Sequence, residues 1–236
     1  MTAASSRRSP DLALPEWDGS IAAALELQVA LARRVVHRDD FPAILDTVTG
    51  FDVGLEDGDA IVRVAAISID ADNLEVIDRQ VVRMPIRLPP QADLLGFLAL
   101  PAMLQALAQL TRKPDLVFVD GHGRAHPRRL GLAAHFGVAS NVPSIGVASQ
   151  VLVGTAALLH EIRGAHTPLR DNGEHVGWLL RSKVGELPLI VSPGHRVSMT
   201  AAAQLVMRFV NDDRLPLPTR LADSLALQSC EDAKNQ

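Results

Sequence analysis

The apolar positions change their period along the chain, and the changes mark its elements. Leu27, Leu31 and Val35 recur at helical spacing after Ser20, a helix-capping residue, which predicts a helix from Ser20 to about Val36. Residues 47–55 are rich in β-formers and predict a strand. A second predicted strand, 61–69, follows the tight-turn pair Asp57-Gly58. A third, 74–84, follows Ala71-Asp72-Asn73. Three strands joined by short turns must be antiparallel neighbours.

Further along, helical and strand patterns alternate. Residues 100–110 read as a helix with Pro101 in its first turn and Met103, Leu104, Leu107 and Leu110 on one face. Leu116 to Val119 is short, wholly apolar and followed by Asp120, as in a buried parallel strand. Then come a helix at 129–136, a strand at 144–148, a hairpin at 176–182 and 187–192, and an amphipathic helix at 199–210. Three antiparallel strands followed by parallel strands alternating with helices predict one α/β domain, a mixed sheet flanked by helices; by analogy alone, that order resembles ribonuclease H-like folds. Residues 17–227 are expected to form it, with flexible tails at 1–16 and 228–236.

Composition narrows the classes. With 236 residues, 47% of them hydrophobic and 21% charged, the chain can bury a core without staples and is not disordered. The single cysteine, Cys230, excludes a disulfide framework. A formal charge of −4 excludes nucleic-acid binding by bulk charge but leaves room for a local basic patch. Aromatics at 3%, with no tyrosine, argue against a base-stacking platform. No apolar run reaches membrane-span length, and Arg7-Arg8 is not followed by the apolar core of a signal sequence. A cytoplasmic location is therefore the expectation.

Candidate chemistry concentrates in residues 120–131. Asp120 ends a buried strand, where open α/β sheets place ligands. Gly121 and Gly123 permit close backbone approach. Arg124, Arg128 and Arg129 carry three positive charges with no acid between residues 121 and 135, and His122, His126 and His135 lie in the same stretch. A helix beginning near Arg129 would aim its N-terminus here and favour an anion. Asp52 sits among apolar residues in the first strand, where a carboxylate is costly unless paired or metal-bound. If Asp52 and Asp120 lie on adjacent strands, their hard oxygens suit Mg²⁺ and phosphodiester cleavage. Ser192-Pro193-Gly194-His195-Arg196 offers either a serine–histidine site or a glycine turn whose amides meet phosphate. Pro216 to Asp223 reads as a helix start with an i,i+3 pair between Arg220 and Asp223. A zinc-type hydrolase using Asp120, His122 and His126 is a weaker reading, because the histidines lie in a glycine-broken loop.

Six segments, taken in order, resemble the endonuclease V family of deoxyinosine-specific nucleases. They are Gly50-Phe51-Asp52-Val53, residues 114–123, residues 126–135 (His-Pro-Arg-Arg-Leu-Gly-Leu-Ala-Ala-His), residues 143–148, Ser192-Pro193-Gly194-His195 and residues 218–223. The resemblance implies a ribonuclease H-like fold and cleavage at the second phosphodiester 3′ of deoxyinosine. It implies Mg²⁺, with Mn²⁺ as a substitute, DNA or inosine-containing RNA as partner, and a monomer. It puts metal ligation and catalysis at Asp52 and Asp120. It makes His126, Arg128, Arg129, His135, His195 and Arg220 contacts to nucleic acid or supports of the site. Four positions depart from the family pattern. The wedge tyrosine is replaced by Pro90, an arginine by Leu98, the catalytic acid by Ala99, and a lysine by Ser149. Alanine cannot bind metal and serine carries no charge, so impaired activity is expected, with Asp93 or Asp223 as candidate replacement acids. A non-catalytic nucleic-acid-binding relative is the alternative.

Overall fold

The structure is a computed structural model that describes residues 17–86, 91 and 93–234. Pro90 and the residues 1–16 read as a tail lie outside the described residues. Helix α1 (Ile21–Ala32) starts at Ser20, whose hydroxyl accepts the amide of Ala23. Strands β1 (Thr47–Glu56), β2 (Ile61–Asp70) and β3 (Val76–Pro85) form the predicted antiparallel meander. Strands β4 (Leu116–Asp120) and β5 (Ser144–Ala148) then add in parallel beside β1. Three further strands and a two-residue bridge complete the sheet: β6 (Thr155–Ala156), β7 (His166–Asp171), β8 (Glu174–Leu180) and β9 (Leu189–His195). The order across the sheet is β3-β2-β1-β4-β5-β9-β8-β7-β6, with β9 antiparallel to β5.

Alternation along the strands divides the core between two layers. Phe51, Val117 and Val119 pack with helices α2 (Leu95–Gln109) and α3 (Leu132–Ser140). Val48, Leu116 and Phe118 pack with α4 (Met199–Arg208) and α5 (Leu217–Lys234) on the other face. Asp52 and Asp120 follow Phe51 and Val119 by one residue, so strand alternation turns both toward the α5 side. Helix α5 seats directly on β1 because Gly50 has no side chain: a Cβ there would stand 2.2 Å from the carbonyl carbon of Pro218.

Several boundaries differ from expectation. Helix α2 begins at Leu95, and Pro101 lies inside it. Burial of Phe97, Leu98, Ala99 and Leu100 outweighs the one backbone bond that proline forfeits. Helix α3 begins at Leu132 rather than near Arg129, because Arg129 adopts a left-handed φ of 59° that no helix continues through. Helix α5 runs to Lys234, so residues 228–234 are helical rather than tail. Strands β6 and β7 were not predicted. Asn172 and Gly173, with φ of 51° and 79°, make the tight turn that pairs β7 with β8.

Gly50→Ala should cost about 1–3 kcal/mol of stability, the range for overpacking a filled core. Urea unfolding measures it; an unchanged midpoint would mean that α5 does not depend on this contact.

Candidate functional site

Two carboxylates are brought together by register. Phe51 lies beside Val119 in the parallel β1–β4 pair, so the next residues, Asp52 and Asp120, stand on neighbouring strands about 4.8 Å apart and point to one face. Asp223, on α5, lies within electrostatic reach of both. Burial pushes the Asp120 carboxyl up to about 6, and the charges of Asp52 and Asp223 act in the same direction. Burial raises Asp52 as well, against the pull of Arg63. The Arg63 guanidinium lies 3.1 Å from Asp52 Oδ2 and also donates to the carbonyl of Ala226 on α5. It reaches that position over Gly54, where a Cβ would stand 2.5 Å from its Nη2. An arginine in an otherwise apolar strand is the signal that sequence reasoning passed over. Among the described residues, no hydrogen bond or ion pair holds the Asp120 carboxylate, and no three acidic, histidine or cysteine side chains form a ready-made metal cage.

The two candidate replacement acids separate. Asp223 joins the aspartate pair, and Asp93 does not: its carboxylate pairs with Arg128 at 2.5 Å. Ala99 is fully buried against the apolar layer that contains Phe51 and Val119. That layer offers the aspartates no third carboxylate from α2.

The loop after Asp120 is interlocked by glycine. Gly123 donates its amide to the buried Ser192 hydroxyl at 2.8 Å, and a Cβ on it would strike the Pro193 carbonyl at 2.2 Å. At the α3 N-terminus the Ala133 amide donates to the His122 carbonyl and the His135 amide to the Gly131 carbonyl. Next to the loop is a small cavity lined by residues that include Gln28, Asp93, Gly121, His122 and His126.

His126, His135 and His195 are buried. Burial lowers His126 and His135 to about 4, so both are neutral at pH 7. His126 Nε2 lies 3.0 Å from the Asp93 carbonyl, while its Nδ1 accepts the Arg128 amide. His135 packs edge-on against Phe97 with ring centroids 4.8 Å apart. His195 is likewise lowered by burial to about 4, and its Nδ1 accepts the amide of Val36. Its register partner is Ser144, at the start of β5, whereas Asp120 pairs with Val147 near the end. His195 is therefore not brought to the aspartates. Nor is it part of a serine–histidine site or a phosphate-binding turn, because residues 192–195 are buried strand and Ser192 is occupied by Gly123. The His122 and His126 rings likewise contact the carbonyls of Gln150 and Asp93, which leaves the zinc-type reading without its ligands.

The arginines of the loop are not a bare basic patch. Arg124 pairs with Glu174; Arg129 pairs with Glu174 at 2.6 Å and Asp171 at 2.8 Å, both acids from the β7–β8 hairpin. Arg220 pairs with Asp213 at 3.5 Å instead of with Asp223. Sequence reasoning did not single out Arg214. Its guanidinium donates to Ser149 Oγ at 3.2 Å and acts on Asp120 electrostatically.

The sequence model of the family described as Endonuclease V matches residues 29–224. The endonuclease V of Azotobacter vinelandii is 55% identical over 217 residues, covering 92% of this chain and 98% of that protein. The crystal structure of endonuclease V from Streptomyces avermitilis has a TM-score of 0.86 at 34% identity, covering 94% of this chain and 98% of its own. Endonuclease V of Ciona intestinalis, in complex with a 24mer DNA containing an inosine followed by a ribo-adenosine, shares the fold, with a TM-score of 0.77 at 23% identity, covering 92% and 100%.

Two outcomes are expected from these electrostatics. The unfolded chain ionises Asp120 near 3.8 and the folded chain near 6, so folding loses stability as pH rises between those values and carries the full cost above them. Asp120→Asn should raise the metal-free melting temperature at about pH 7.5 by about 2–4 °C, and the gain should vanish below about pH 4. An equal gain at both pH values would assign it to something other than ionisation. Glu174→Gln removes the acid that covers Arg124 and Arg129, and should tighten binding of a single-stranded oligonucleotide about 3–10-fold at low salt. Unchanged affinity in a fluorescence titration would place the binding face elsewhere.

Proposed function

The chain belongs to the endonuclease V family, and from that premise we propose that it is an inosine-directed nuclease whose turnover is impaired. The observation that carries the reading is the buried Asp52–Asp120 pair with Asp223 beside it. The donor set fits a hard divalent cation: two adjacent carboxylates, one of them with no hydrogen bond or ion pair among the described residues. Asp52 and Asp120 would hold it, with Mg²⁺ the first choice and Mn²⁺ a substitute. When bound there, the metal supplies activation of a water and stabilisation of the leaving oxygen.

The chain's own residues do the rest. Arg63 fixes Asp52 and offsets part of its charge. The raised Asp120 gives up a proton on binding the cation, so affinity for metal should rise with pH through about 6. Asp223 adds negative charge that favours a cation at the pair. The interlocked Gly121–Gly131 loop keeps the strand ends rigid beside the substrate, and His126 and His135 stabilise that loop as neutral rings. The substrate we assign is DNA containing deoxyinosine, or inosine-containing RNA. The cut falls at the second phosphodiester 3′ of the lesion and leaves a 3′-hydroxyl and a 5′-phosphate. We assign a cytoplasmic monomer; among the described residues no helix is long and apolar enough to cross a membrane. The folded unit we assign is residues 17–234, in keeping with the length of α5.

The second reading is a non-catalytic nucleic-acid-binding relative. Ala99 favours it: a fully buried alanine in an apolar layer cannot orient a water or bind metal.

Incubation of the purified chain with Mg²⁺ and end-labelled single- and double-stranded inosine oligonucleotides separates the two. The expected result is slow nicking that is lost in Asp52→Ala. Ala99→Glu should raise the rate about 10²–10³-fold, the size of a restored positioning group. Its melting curve checks that the new carboxylate is tolerated. Tight oligonucleotide binding without any nick in wild type or Ala99→Glu would favour the second reading. Nicking as fast as that of an intact relative would show Ala99 to be harmless.

A further inference from the structure

We propose that Arg214 is the residue that binds the substrate phosphate beside Asp120, supplying from the segment before α5 the positive charge that position 149 lacks. The inference rests on the nuclease reading of the aspartate pair and adds to it the group that receives the anion.

Position comes first. Ser149 directly follows β5, whose residue Val147 pairs with Asp120 across the parallel β4–β5 contact. The Ser149 hydroxyl accepts a hydrogen bond from Arg214 Nη1 at 3.2 Å, which puts the guanidinium beyond the carboxyl ends of these strands. Ligands of open α/β sheets bind there.

Preorganisation comes second. Arg214 Nε donates to the Leu187 carbonyl at 2.6 Å and Nη2 to the Pro188 carbonyl at 3.1 Å. Its own carbonyl accepts the hydroxyl of the buried Ser182 at 2.7 Å. Its amide donates to the carboxylate of Asp213, which also faces Arg220. The side chain is therefore held by two carbonyls and a hydroxyl. A guanidinium has more donors than these three acceptors use, so N–H groups on both terminal nitrogens remain uncommitted.

Charge comes third. Arg63, Arg124, Arg128, Arg129 and Arg220 all have carboxylate partners. Among the described residues, no carboxylate lies within ion-pair distance of Arg214. A fixed guanidinium with spare donors, without a counterion and beside a site meant for a phosphodiester, is suited to a phosphate oxygen.

The test is fluorescence anisotropy with a labelled single-stranded inosine oligonucleotide, from about 50 to about 200 mM NaCl, in EDTA and in Ca²⁺. Arg214→Ala should raise Kd about 5–20-fold at the lowest salt and reduce the slope of log affinity against log salt by about one. Adding Ser149→Lys to Arg214→Ala should restore the slope. Arg214→Gln keeps donors toward Leu187 and Ser149 without the charge, and carries the test if Arg214→Ala does not fold. Curves for Arg214→Gln that superimpose on wild type would overturn the inference while leaving the nuclease reading intact. A wild-type chain that binds no oligonucleotide would overturn the nuclease reading, and this inference with it.

Discussion

Two carboxylates side by side and largely out of water are an electrostatic cost that the rest of the molecule accommodates. The parallel β1–β4 pairing fixes the distance between Asp52 and Asp120, and neither side chain can retreat without breaking the sheet. Asp223 on α5 adds a third charge to the same face. Among the described residues, the one ion pair made by the three aspartates is that of Arg63 with Asp52. Asp120 remains unbalanced and holds its proton to about pH 6. A cation bound there would relieve the repulsion and the desolvation penalty together.

The glycines follow from the same crowding. Gly50 lets α5 approach β1 closely enough to carry Asp223 to the pair, and Gly54 leaves room for Arg63. Gly123 and Gly131 let the following loop fold against the ends of β9 and back on His122. A methyl group at any of these positions would meet backbone or guanidinium atoms at less than 3 Å. At Gly50, Gly123 and Gly131 backbone packs directly on backbone.

Charge is arranged by long-range pairing. The positive loop 124–129 is covered by acids from the β7–β8 hairpin and from Asp93, all distant in sequence. The buried histidines are neutral, and His126 and His195 accept backbone amides. The net result is a surface less basic than its local sequence, with Arg214 left without a carboxylate partner among the described residues.

Much of this was legible in the chain itself. The β-former-rich segments and their tight turns specified the β1–β3 meander. The apolar run ending in Asp120 specified the parallel strand beside it, because hydrophobic periodicity and turn chemistry are local properties. The motif order around Asp52, Asp120 and Pro218 to Asp223 was enough to place the chain in its family. The ion pairing of Arg124, Arg128 and Arg129 was not legible, since their partners lie tens of residues away and only folding brings them close. Neither was the neutrality of His126, His135 and His195, which depends on burial and not on neighbours in sequence. The choice of Asp223 over Asp93, and the arrival of Arg214 at Ser149, were likewise decided by tertiary structure. Local patterns set which elements form, but a carboxylate's or guanidinium's partner is set by three-dimensional proximity and desolvation, and neither is written in a window of adjacent residues.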